Sequence, residues 1–145
     1  MSRVRGMIPG TVFGRRKECA DFLKFVGCSL EDLRWHLERQ FKHYMTWRSH
    51  GDWQIDHIEP CAMFDQEDED EVMECNHWTN LRPLFSEDNC TRPAIYTGDT
   101  RAPYYIFRNA NPRDTIVDDR GLVSMRQLDR VDRVDNKPRE TLTEK

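Results

Sequence analysis

Asp56 and His57 stand side by side in WQIDHIEP (residues 53–60), and Asn80 and Asn89 follow in WTNLRPLFSEDNCTR (residues 78–92). Those residue types suit metal-assisted hydrolysis of a phosphodiester. The reaction needs an activated water, a Lewis acid on a non-bridging oxygen and on the leaving 3′ oxygen, and little else. Asp56 offers a hard anionic oxygen and Asn89 a hard neutral one. Such donors suit magnesium (or manganese), which takes few protein groups and keeps several waters. Imidazole, with an ordinary pKa of about 6.5, can accept the proton of the attacking water near neutral pH, so His57 is read as a base and not as a ligand.

The elements that must position these groups follow from the pattern around them. Cys19, Phe22, Leu23 and Val26 recur at helical spacing, and Gly27 ends that helix. Ser29 with Asp32 three residues on resembles a capping box and opens a second helix whose buried face is Leu30, Leu33, Leu37 and Phe41. Residues 43–53 break the helical period and pack Trp47 and Trp53 into the core, with Gly51 in a tight turn. From Trp53 to Ile58 the period shortens to two, which predicts a strand stopped by Pro60. A regular strand sends Asp56 and His57 to opposite faces, so their joint use requires a bend near Pro60. The acidic stretch 65–74, with seven carboxylates, predicts a solvated loop or a turn of helix. Trp78 to Leu84 is the expected partner strand, and Ser86 caps a short helix through Asn89 to Arg92. His77, three residues before Asn80, is either a further ligand or a hydrogen-bonding support for the hairpin; the support role is preferred. Beyond residue 95 a strand is expected at Tyr104 to Arg108, a helix capped by Ser124 and Gln127, and a frayed charged end.

Taken in order, Asp56-His57, Asn80, Asn89 and Arg92 resemble the motif of the HNH endonucleases, in a His-Asn-Asn variant. The upstream GCSLEDLRWHLERQF and MTW segments and the downstream NLRPLFSEDN resemble the HNH group of phages and large DNA viruses. The resemblance runs from Val26 to about Arg92. It implies a ββα-metal core in which Asp56 and Asn89 hold a divalent ion and His57 activates water. It further implies that Asn80 fixes the loop or the imidazole, and that Arg92 holds a substrate phosphate. The products it implies are a 5′ phosphate and a 3′ hydroxyl.

The organisation expected is α+β. A basic N-terminal arm and helix (1–25) precedes a nuclease domain (26–95), in which a helical lead-in comes before the ββα-metal core; a C-terminal extension (96–145) is partly disordered. A net charge of -4 over 145 residues looks wrong for a protein that binds a polyanion. Its distribution is more favourable: residues 1–17 carry Arg3, Arg5, Arg15, Arg16 and Lys17 with no acid, and residues 100–113 carry three arginines with none. DNA is the expected partner, through Arg92 and the N-terminal arginines Arg3, Arg5, Arg15 and Arg16, with no membrane and no determined oligomeric state. The absence of a long apolar run or of an apolar leader core in MSRVRGMIPG predicts a soluble, intracellular protein, in a host cytoplasm or nucleus if viral. Five cysteines without a C-x-x-C pair argue against a disulfide framework. Cys61, Cys75, His77 and Cys90 match no common zinc spacing, so no structural zinc is expected. Two other classes compete: a DNA-binding module on the same fold without turnover, and a zinc-stabilised interaction domain.

Overall fold

Helix α1 (Ser2–Val12) turns Val4, Met7, Ile8 and Val12 to one side, where all four are buried. Pro9 lies inside it, so the helix rests on that apolar stripe more than on helix propensity. The computed structural model describes residues 2–49, 51–86 and 103–126, and gives only the backbone of Ser2, Arg3 and Arg5. The stretch expected as a basic arm is therefore helical from Ser2, with apolar residues between its arginines facing the core.

Helix α2 (Ala20–Val26) buries Phe22, Phe25 and Val26, while Leu23 and Cys19, expected on the same face, are exposed. Helical geometry allows either stripe, and two phenylalanines with Val26 remove more apolar area from water. Gly27 ends the helix in the left-handed conformation (φ 84°), its N–H bonded to Leu23 O. Helix α3 (Leu30–Glu38) begins as its cap predicts: the Ser29 hydroxyl accepts from the Asp32 N–H at 3.1 Å. Leu33 and Leu37 are fully buried. α1 packs on α2 and α3, so three helices, not two, precede the sheet.

Strand β1 (Trp53–His57) pairs antiparallel with β2 (Leu81–Phe85), in a register that sets Asp56 opposite Arg82 and His57 opposite Leu81. A two-stranded sheet tolerates Pro83 in β2 because each strand has an open edge. The acidic stretch is a helix, α4 (Glu69–Asn76), capped by the Asp68 side chain on the Asp70 N–H. Glu69, Asp70 and Glu71 lie in its first turn, where the helix dipole favours negative charge. Trp78–Asn80 is a 3₁₀ turn leading into β2 and not part of the strand. Trp53 and Trp78 are fully buried, and Trp53 meets Phe13, Phe41 and Trp47 at ring-centroid distances of 5.1–5.5 Å.

Two expectations for the C-terminal third are corrected. Tyr104–Phe107 is a short helix, α5, not a strand; it buries Tyr104 and Phe107, three residues apart, as one helical turn does. Ser124 lies in strand β4 (Val123–Met125), paired with β3 (Thr115–Val117), and not at a helix cap. Asp118 and Gly121 (φ 88°) form the turn between them, which brings Val123 back to the core. Ser86 is described, but the rest of the helix expected from it through Asn89 to Arg92, the charged end beyond Arg126, and Arg101 lie outside the described residues. The architecture is mixed α+β, with helices on one small antiparallel sheet and a second hairpin beside it. No helix of the described residues is long and apolar enough to cross a membrane.

His36 ties these parts together. It is fully buried; Nε2 lies 3.1 Å from Leu81 O in β2, and Nδ1 accepts from Arg39 Nη2 at 2.8 Å. Arg39 in turn donates to Thr115 O and Pro112 O, joining α3 to the second hairpin. Burial, with the Arg39 guanidinium adding to it, pushes the His36 imidazole down to about 3. The ring is therefore neutral in the folded protein at any ordinary pH, whereas the unfolded chain takes up a proton there below about pH 6.5. Folding excludes that proton, so this contribution to stability is complete above about pH 6.5 and is lost as the pH falls towards 3, by up to about 1.4 kcal/mol per pH unit. Urea unfolding followed from pH 7 to pH 4.5 should show this slope. His36→Gln should flatten it by about one proton's worth, and equal slopes in the two proteins would refute the assignment.

Candidate functional site

Three side chains converge where β1 ends. His57, half-buried, closes the strand, and its Nε2 lies 2.9 Å from Asn76 Oδ1. Asn76, in the last turn of α4 and 1% exposed, donates through Nδ2 to Val72 O at 2.9 Å. That second bond decides which end of the amide faces the imidazole. The oxygen faces it, so Nε2 carries the proton and Nδ1 the lone pair. An amide thus selects the tautomer in which Nδ1 is the basic atom.

Asn80 is fully buried and does not act on the ring in this way; it grips the chain that leaves β1. Its Oδ1 accepts from the Glu59 N–H at 2.8 Å, and its Nδ2 donates to Glu59 O at 3.1 Å and to Cys75 O at 2.8 Å. Its backbone carbonyl also accepts from the Ile58 N–H at 2.8 Å. The bend expected near Pro60 is built here, one residue after His57. Asn80 is placed by the 3₁₀ turn that the His77 side chain caps through the Thr79 N–H.

Asp56 is 5% exposed, and its Oδ2 accepts from Arg82 Nε at 3.0 Å across the strand pair. Arg82 also donates to Arg120 O at 2.8 Å, so the second hairpin backs this ion pair. His77 is braced at both nitrogens, Nδ1 on Thr79 and Nε2 3.2 Å from Arg108 O. A Cβ on Gly27 would sit 2.6 Å from the His77 ring, so glycine is required there by contact as well as by its positive φ. His77 thus links α2, the 3₁₀ turn and the end of α5. It also lines a hollow of about 580 Å³ with Lys24, Tyr104, Tyr105 and Arg108, whose walls do not include His57.

Asn89 and Arg92 lie outside the described residues, as do the side chains of Arg3 and Arg5. Arg15 and Arg16 are exposed, Arg15 over the Phe13 ring. Arg113 of the second basic stretch is paired with Asp32 at 2.9 Å, so not all of that stretch is open charge.

One neighbour of His57 escaped the sequence pattern, and a second was weighed there only together with His77 and Cys90. Asn76 stands two residues beyond the acidic stretch 65–74, outside the pattern that the motif reading singles out. Val72, Cys75 and Asn76 nevertheless stand at i, i+3 and i+4, and a polar residue on an inward helical stripe is the signal that could have found it. The second is a pair of thiols: Cys61, in the 3₁₀ turn Cys61–Met63, and Cys75 of α4 bring their sulfurs to 3.4 Å, close to His57. The grouping of these cysteines with His77 is not what the fold makes; the histidine beside them is His57.

The chain is 42% identical over 72 residues to uncharacterized protein L246 of Acanthamoeba polyphaga mimivirus, a match covering 48% of this chain and 31% of that protein. It is 37% identical over 67 residues to uncharacterized protein L426 of the same virus, covering 46% of this chain and 30% of that one. The matched part spans about a third of the length of these relatives. No protein-family profile matches the chain, and no solved structure does.

Asn80→Ala would leave the Glu59 N–H and the Glu59 and Cys75 carbonyls without this partner in a closed interior. A loss of at least about 2 kcal/mol is expected, read as a lower urea midpoint at unchanged slope. A change below about 0.5 kcal/mol would mean that the loop does not depend on this amide.

Proposed function

We propose that the chain is an HNH-type endonuclease that hydrolyses DNA phosphodiester bonds with magnesium or manganese. The observation that carries the proposal is the imidazole of His57. It stands at the end of a β strand, its tautomer is set by the Asn76 amide, and the chain beyond it is held by Asn80. A neutral imidazole with one nitrogen anchored is organised as a general base, because its orientation is settled before substrate arrives. His57 would take the proton of the attacking water at Nδ1. The Asn76 oxygen would then stabilise the imidazolium that forms, since it already accepts the Nε2 proton.

The donors suit the ion proposed. The Asp56 carboxylate is a hard oxygen ligand on the same strand, one of its oxygens engaged by Arg82, and Asn89 would supply the second oxygen. When bound, the ion supplies a Lewis acid to the non-bridging and leaving oxygens. Arg92 would hold a substrate phosphate, with the exposed Arg15 and Arg16, and with Arg3 and Arg5, drawing the polyanion. The mimivirus relatives favour a viral source, and a nuclease of such a virus would work in the cytoplasm or nucleus of the host cell.

Supercoiled plasmid incubated with the purified protein should be nicked with magnesium or manganese and left intact with chelator. His57→Ala should lower the rate by roughly 10² to 10⁴. Asn76→Ala, which keeps the base but frees its tautomer, should lower it by roughly 10 to 100. Plasmid that is bound but not cut under any of these ions would overturn the enzymatic assignment.

A further inference from the structure

The loop after β1 and the last turn of α4 bring a histidine and two cysteines into one cluster. The ligand atoms of His57, Cys61 and Cys75 all lie within 4.8 Å of one another, and the two sulfurs are 3.4 Å apart. A tetrahedral zinc ion, with bonds of about 2.3 Å to sulfur and 2.0–2.1 Å to nitrogen, needs its ligands separated by about 3.5–3.8 Å. The three atoms can reach that geometry by side-chain adjustment alone. We infer that His57, Cys61 and Cys75 form a site for a thiophilic divalent ion, zinc, with a fourth position open to water.

The observations bear on the choice of ion. Two sulfurs and an imidazole are soft and borderline donors, which favour zinc over magnesium. Cys61 is half-buried and Cys75 fully buried, so the ion would sit at the edge of the core with one side accessible through Cys61 and His57. The backbone on both sides is already ordered: Asn80 fixes Glu59 and Cys75 through their main-chain groups, and Cys61 follows Glu59 by two residues. The hydrogen bond that His57 Nε2 donates to Asn76 Oδ1 orients the ring, as partners of a ligating imidazole do. A site whose ligands are held in advance loses less entropy on binding. On binding, each thiol gives its proton to the buffer and the sulfur becomes a thiolate ligand; nothing is oxidised or reduced. The cluster stands on its own geometry whether or not the chain cleaves DNA, but it shares His57 with the proposed base. An ion held here and a water-activating His57 therefore exclude one another.

Full-length protein, kept reduced with a phosphine and free of metal, is titrated with zinc chloride by calorimetry. Cobalt chloride is added in parallel, to read thiolate-to-cobalt absorbance that zinc abolishes. One zinc per chain at micromolar affinity or tighter is expected, with close to two protons released. Cys61→Ser should weaken binding by roughly 10²-fold and dim the cobalt band. His57→Gln, at a half-buried position, should weaken it comparably and retain the band, which gives a second reading if the serine variant folds poorly. Cys19→Ser, at an exposed thiol outside the cluster, should bind as the parent does. Absence of saturable zinc binding, or binding unchanged by both Cys61→Ser and His57→Gln, would overturn the site.

Discussion

The candidate site depends on one carboxamide. Asn80 binds Glu59 through both main-chain groups and Cys75 through its carbonyl, and so joins the end of β1 to the end of α4 across a gap of many residues. The contacts described around His57 lie on either side of that join. Asn76, next to Cys75, reaches the imidazole, and Cys61, two residues beyond Glu59, reaches the Cys75 thiol. A side chain suits the task because the segment between the strands has no ladder to follow, and its polar groups must still be satisfied where they are buried. An amide offers a donor and an acceptor together, which neither a carboxylate nor a hydroxyl arranges in the same plane.

Around this join the interior is unusually polar for a small core. His36 stays neutral because it is buried beside a guanidinium, and in that form it can both face the Leu81 carbonyl and accept from Arg39. Arg39, lowered to about 10 by burial, holds the second hairpin through Thr115 and Pro112. Arg82 reaches the same hairpin from the other strand while it pairs with Asp56. The C-terminal segment is thus a support of the sheet that carries Asp56 and His57. These bonds cross between elements distant in the chain, so they hold register more than they add net stability.

The strand end offers two kinds of donor, hard oxygen at Asp56 and soft sulfur with imidazole at Cys61, Cys75 and His57. His57 is the shared member. Under the two proposals its role would be decided by what approaches, a water to be deprotonated or an ion to be held, because one lone pair cannot do both.

Much of the frame was legible in the chain itself, since it rests on local rules. The Ser29 cap, the Gly27 stop, strand β1 and the burial of Trp53 follow from capping geometry, backbone freedom and alternation within a few residues. Less legible were α4, hidden in a run of acids of which Asp68 caps it and Glu69, Asp70 and Glu71 stand in its first turn, and α5 and β4, short elements whose identity comes from what they pack against. By itself the sequence determined the helical lead-in and a strand carrying Asp56 and His57, and its family resemblance implied that Asn80 fixes the loop or the imidazole. Only the tertiary structure decided that Asn76 sets the His57 tautomer, that Arg82 pairs with Asp56, and that Cys61 and Cys75, not His77, sit beside His57. Those are contacts between residues distant in the chain, and spacing along a chain does not report which loops a buried amide will draw together.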